Sequence, residues 1–147
     1  MRRSTVALVV LALAGCASVA PTASYVSDVS PADATPLASA LAAYLGQQLP
    51  PATTTLVLQP PPPSQADNAL TPALRGALSH AGFEVFEPSK DAPPPAGAHP
   101  IRYQVTPLEG GVLVRLHYDR TEAARWFARN RRGQLQAAGP FTVSAAP

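Results

Sequence analysis

Apolar positions along the chain fall into three regimes. Val6 to Leu13 is an unbroken aliphatic run. Between Pro36 and Phe86 the apolar residues recur at helical spacing, interrupted by short aliphatic stretches. From Ile101 to Tyr118 they alternate with polar residues. In the middle regime, Thr35-Pro36 reads as an N-cap followed by proline at the first helical position. Leu37, Leu41, Tyr44 and Leu45 then form one apolar stripe, and Pro50-Pro51 stops the helix. Thr53–Gln59 ("TTTLVLQ") is β-branched and aliphatic and predicts a strand, ended by Pro60–Pro63. Ser64-Gln65-Ala66-Asp67 resembles a capping box. Leu70, Leu74, Ala77, Leu78 and Ala81 predict a second helix that kinks at Pro72 or starts at Thr71-Pro72, with Gly82 at its end. Phe83–Phe86 predicts a strand. This β-α-β order argues for a parallel strand pair joined by a right-handed crossover.

The third regime predicts a hairpin. Ile101, Tyr103 and Val105 alternate with Arg102, Gln104 and Thr106; Gly110-Gly111 supplies the turn; Val112, Val114, Leu116 and Tyr118 return. Ala123–Asn130 predicts a third strand, Arg131–Gln134 a second turn, and Phe141–Val143 a short last strand. The fold class is therefore α+β: a small mixed sheet with two helices on one face, one βαβ crossover, then an antiparallel meander. Two architectures fit this order. One is the small domain with two sheets found at the entrance of secretin channels. The other, favoured by the Thr53–Phe86 crossover, sets helices against one mixed sheet.

The first regime is a leader. Arg2 and Arg3 precede the aliphatic run, and small residues follow it, which is the layout of a secretory signal peptide over residues 1–15. The run is shorter than the roughly 20 residues that a bilayer-spanning helix needs. Leu13-Ala14-Gly15-Cys16 resembles the bacterial lipobox. That resemblance implies cleavage before Cys16, a diacylglyceryl thioether on its sulfur and acylation of the new amino terminus, palmitate being the usual chain. More than one acyl chain gives stable anchoring. The alternatives are weaker. Cys16 is the only cysteine, so it has no disulfide partner within the chain, and no histidine lies near enough in sequence to suggest a metal site. Ala17 and Ser18, with no Asp after the cysteine, imply sorting to the outer membrane, with the domain facing the periplasm.

Composition divides the remainder. Residues 16–34 are rich in Ser, Ala, Thr, Pro and Asp and read as an acylated N-terminus and flexible tether; the Tyr25–Val29 patch alternatively docks on a partner as a short extended segment. The domain spans 35–147. Eighteen prolines, clustered in loops at 60–63 and 87–100, leave a modest core for 147 residues. The net charge of +2 resides in Arg2 and Arg3, and without them nine basic residues face nine acidic ones. Bulk charge therefore gives no support for nucleic-acid binding.

No catalytic constellation emerges. His80, His99 and His117 fall on a helix, a loop and a strand, none in a metal-ligand spacing. His80 near a helix C-terminus suits the dipole. Glu84, Glu87 and Glu109 have no evident burial to shift them toward acid/base work, and there is no phosphate loop or nucleophile elbow. The expectation is a protein that is not an enzyme and carries no cofactor apart from the covalent lipid. A basic cluster does stand out: Arg120, Arg125, Arg129, Arg131 and Arg132, with Trp126 and Phe127 among them. It reads as a partner-binding strip, since Arg and Trp are enriched at interface hot spots, or as a solvated strand edge protected by charge. Direct nucleic-acid binding is the weakest of the three readings.

Taken together, the lipobox, "LASALAAYLGQQLPPATTTLVL", "LRGALSHAGFEVF", "IRYQVTPLEGGVLVRLHY" and "RNRRGQLQAAGPFTV" resemble the TrbH family of conjugal transfer lipoproteins. The resemblance covers most of the chain and contains no catalytic motif; only the lipobox positions transfer residue by residue. It implies an assembly or stabilising subunit of a conjugative type IV secretion channel. Such a subunit is held in the outer membrane by its acyl chains and bound to protein subunits of the core complex. A second reading is an envelope lipoprotein that uses its Pro/Ala-rich tether to reach and regulate a peptidoglycan enzyme. A third is a small-ligand or surface-exclusion protein, resting only on outer-membrane location.

Overall fold

The computed structural model describes residues 23–146. Leu13, Ala14, Gly15 and Cys16, and with them the lipobox reading, lie outside the described residues. In chain order the elements are β1 (Tyr25–Val26), α1 (Pro31–Gln48), β2 (Thr55–Leu58), α2 (Leu70–His80), β3 (Glu84–Phe86), β4 (His99–Leu108), β5 (Gly111–Tyr118), β6 (Thr121–Arg129), β7 (Leu135–Ala137) and β8 (Thr142–Ala145). They form one mixed sheet in the order β3-β2-β4-β5-β6-β7, with β1 beside β4 and β8 beside β6. β2 pairs parallel with both β3 and β4. From β4 onward every pairing within the meander is antiparallel.

Both helices lie on one face of this sheet. Leu37, Leu41 and Leu45 of α1 and Leu70, Leu74 and Leu78 of α2 are fully buried, as the helical spacing requires. They meet Leu56 and Leu58 of β2, Ile101, Tyr103 and Val105 of β4, and Val112, Val114 and Leu116 of β5. The alternation read from the sequence is thus the alternation of the sheet. The architecture is α+β with a parallel β2-α2-β3 unit, followed by the meander.

The start of α1 differs from the sequence reading, whereas α2 starts at Leu70, one residue before the Thr71-Pro72 alternative, and only its expected capping box is replaced. α1 begins at Pro31, not at Pro36. Ser30 is the N-cap: its hydroxyl accepts from the Asp33 amide at 3.2 Å and donates to the Asp33 carboxylate at 2.9 Å. Pro36 then sits inside the helix at a position still within two turns of its start. Ala69 stands at the N-cap of α2 without a side-chain bond; Asn68, one residue earlier, supplies it in place of Ser64, whose stretch is a short 3-10 turn. Asn68 Oδ1 accepts from the Thr71 amide at 2.8 Å, and Pro72 falls in the first turn, where its missing N–H costs nothing.

The assignment of 16–34 to a tether also needs correction. Ser24 and Val26 are buried. β1 pairs parallel with Gln104 and Val105, and Ser24 Oγ donates to the Gln59 carbonyl at 2.6 Å while accepting from the Tyr103 amide at 3.1 Å. The Tyr25 stretch is extended and docked, but on its own domain. The folded unit therefore begins by Ser24 and not at Thr35.

Candidate interaction surface

The period of a strand sorts the basic cluster. Arg125, Phe127 and Arg129 point to the helix side of β6 along with buried Ala123, whereas Trp126 points to the opposite face. Phe127 is buried and belongs to the core. Arg129 is committed internally: Nη1 and Nη2 reach the two carboxylate oxygens of Asp33 at 3.1 and 2.7 Å, and Nη1 also donates to the Gly133 carbonyl at 2.8 Å. This fork holds the Asp33 carboxyl below its usual range, against the opposing effect of burial. Arg131 and Arg132 lie in the exposed β6–β7 turn, and Arg120 in the β5–β6 turn at the other end of the strand. The seven residues therefore do not make one strip, and two of them are structural.

Arg125 remains available. Its Nε donates to the Gly139 carbonyl at 2.7 Å, and its guanidinium lies over the rings of Phe127 and Phe141, 5.5 and 5.1 Å from their centres. No carboxylate among the described residues pairs with it. It borders a groove of about 480 Å³ between α1 and β8, lined also by Ala40, Ala43, Tyr44, Phe141 and Val143. Tyr44 is fixed there by its hydroxyl, 3.0 Å from that of Tyr118, and by Phe141, ring centres 4.3 Å apart. Burial pushes the Tyr44 phenol well above its ordinary value, so it stays protonated.

The second exposed surface is the sheet face without helices. Leu113 and Trp126 are cross-strand partners there, both half-buried, beside exposed Arg115. Tyr25 and Leu108 add apolar area, 44 % and 49 % exposed. At one end of this face His117 is buried between Arg102 and Glu122 on the neighbouring strands. Its Nε2 lies 3.5 Å from Glu122 Oε2 and has no hydrogen-bond partner among the described residues. Burial keeps the imidazole neutral by lowering its proton affinity; Glu122 opposes this, and Arg102 and Arg115 add to it. His99 does not join it, since its Nδ1 pairs with Asp119 Oδ1 at 2.8 Å, and His80 lies on α2.

A third surface is the apolar groove between the helices, about 530 Å³, floored by small residues such as Ala38, Ala42, Ala73, Gly76 and Ala77. Among the described residues no group of three or more His, Cys, Asp or Glu side chains could hold a metal ion. No described helix is long and apolar enough to cross a membrane.

These features define a two-layer α+β domain whose exposed character lies in grooves and sheet margins. The family model of conjugal transfer protein TrbH matches residues 17–146, nearly the whole chain, and the chain belongs to that family. No curated protein and no solved structure matches the chain. It is thus a conjugal transfer protein, in a family not known for enzymes.

Proposed function

We propose that the protein is an outer-membrane lipoprotein, anchored through Cys16, that serves as a non-enzymatic assembly or stabilising subunit of a conjugative type IV secretion channel. Membership of the conjugal transfer family over residues 17–146 carries the reading. Two further features support it. The lipobox directly precedes the matched region. The fold begins by Ser24, so the link from Cys16 is only residues 16–23. Fully extended, those residues span at most about 28 Å. A domain so tethered works beside the membrane that holds it, which suits a subunit of an envelope-embedded ring. It suits a regulator that reaches to the cell wall less well.

Metabolic labelling with palmitate and membrane fractionation test the anchor. The wild-type protein takes up label and sediments with the outer membrane. Cys16→Ser loses the label and moves to the soluble periplasmic fraction. An unlabelled wild-type protein would end the lipoprotein reading.

A further inference from the structure

The sheet has free margins at β1 and β3 and along β7 and β8. Most are closed to further strands. The Val26 amide of β1 donates to Gln65 Oε1 at 2.9 Å, which occupies the margin with a side chain. β3 is three residues long, carries exposed Glu84 and is followed by Pro88. β7 is also three residues long and continues directly from the Arg131–Gln134 turn. These are the usual devices against strand addition.

β8 is also short, at four residues, but it carries neither a charge nor a proline and no side chain occupies its margin. Thr142–Ala145 is exposed at every residue. Its inner side is paired with β6, and Ala146 N donates to the Arg120 carbonyl at 2.9 Å. By the alternation of an antiparallel ladder, Thr142 and Ser144 share that bonding side. The N–H and C=O of Val143 and Ala145 therefore face outward. The Val143 side chain, 55 % exposed, faces the helix layer, because its partner Ala123 is buried there. It borders the α1–β8 groove and Arg125.

A strand added to β8 would extend the sheet beneath α1. Its helix-facing side chains would enter that groove against Ala40, Ala43, Tyr44 and Phe141, and one of them would meet Arg125. We propose that β8 and this groove accept an extended segment of another protein by strand addition, apolar at alternate positions and carrying a carboxylate that pairs with Arg125. The charge identifies the occupant. Arg125 is held in place by a carbonyl and two rings but has no acid among the described residues. A second copy paired through its own β8 would bring Thr142–Ala145, which holds no acid, and the same Arg125 beside it. The inference does not depend on acylation of Cys16, so its failure leaves the anchor reading intact.

The test uses the mature chain in solution and a capped peptide, Thr-Val-Thr-Glu-Thr-Val-Thr, with a counterpart carrying Lys in place of Glu. Backbone amide NMR should show shifts on adding the acidic peptide, concentrated at Val143, Ala145 and the α1 residues Ala43 and Gln47. The lysine peptide should bind about tenfold more weakly, and Arg125→Gln should erase that preference. Val143→Pro removes an outward-facing N–H and the valine side chain but no hydrogen bond to β6, so the β6 ladder should persist while binding is lost. Absence of shifts, shifts elsewhere, or equal binding of both peptides would overturn the proposal. So would concentration-dependent self-association abolished by Val143→Pro, which would assign the margin to a second copy. If Val143→Pro does not fold, the position of the wild-type shifts and the Arg125→Gln comparison decide.

Discussion

Asp33 and Arg129, 96 residues apart in sequence, join the first turn of α1 to the end of β6 through two hydrogen bonds of 3.1 and 2.7 Å. The carboxylate is almost fully buried, with 8 % of its side chain exposed, whereas Arg129 keeps 37 %. Arg129→Met therefore leaves a buried charge with only Ser30 to satisfy it. The expected cost is about 1–2 kcal/mol, reduced from that of a fully buried pair because solvent screens the arginine. Asp33→Asn should cost less, and a double-mutant cycle by urea denaturation should return a coupling energy above zero. Additive single effects would remove this link from the account. A charge reversal at Arg129 would thus report on stability, so the α1–β8 groove is better probed at Arg125 and the helix-free sheet face at Trp126.

His117 gives the fold a pH dependence of definite sign. Its proton affinity is lowered in the fold, chiefly by burial, so protonation favours the unfolded chain. The stability it supplies is complete above the unfolded value of about 6.5. It is lost progressively as pH falls below that value toward the lowered folded one. Melting temperature should therefore fall between about pH 7 and pH 5 more steeply for the wild type than for His117→Gln. Parallel curves would show that His117 is not buried as a neutral ring.

Gly111 opens β5 opposite Ala128 of β6. A Cβ there would fall onto the Phe127 carbonyl oxygen and lie 2.9 Å from Trp126 Cζ2. Gly111→Ala should cost about 2 kcal/mol through forced separation of the two strands. Its neighbour Gly110, at φ +76°, meets nothing but has the left-handed backbone. Gly110→Ala should cost about 1 kcal/mol. Chemical denaturation of both variants checks the order, and reversed magnitudes would contradict the geometry.

A buried relay links α2 to the sheet. Thr71 Oγ1 donates to Asn68 Oδ1 at 2.9 Å, so the Tyr103 hydroxyl, 2.7 Å away, donates to Thr71. Asn68→Ala removes the cap of the α2 amide and unseats this chain together. Its expected cost is about 1–2 kcal/mol. Tyr103→Phe should cost about 1 kcal/mol, and the two losses should be less than additive when combined.

The hairpin and both helical stripes were legible because each depends on neighbours in sequence. Ile101, Tyr103 and Val105 show their period within five residues. β1 was not legible, since Tyr25–Val26 is only two residues and is ordered by β4 and by the Ser24 bonds to Gln59 and Tyr103. The start of α1 offered two similar Ser/Thr-Pro pairs, at 30–31 and 35–36. Asp33, three residues after Ser30, was the local signal for the first, and its partner Arg129 lies on a distant strand. The basic cluster failed as one surface for a simpler reason. Ala123–Asn130 was itself predicted as a strand, and its period of two already separates Trp126 from Arg125, Phe127 and Arg129. The free margin at β8 left no trace in composition, because openness depends on which side β6 occupies.

The most direct measurement of the central claim is the frequency of DNA transfer from donor cells carrying Cys16→Ser in place of the wild-type chain, at matched protein levels. The account predicts a sharp drop in transfer, with the variant found soluble in the periplasm and still folded. Undiminished transfer by a soluble, unacylated protein would contradict it.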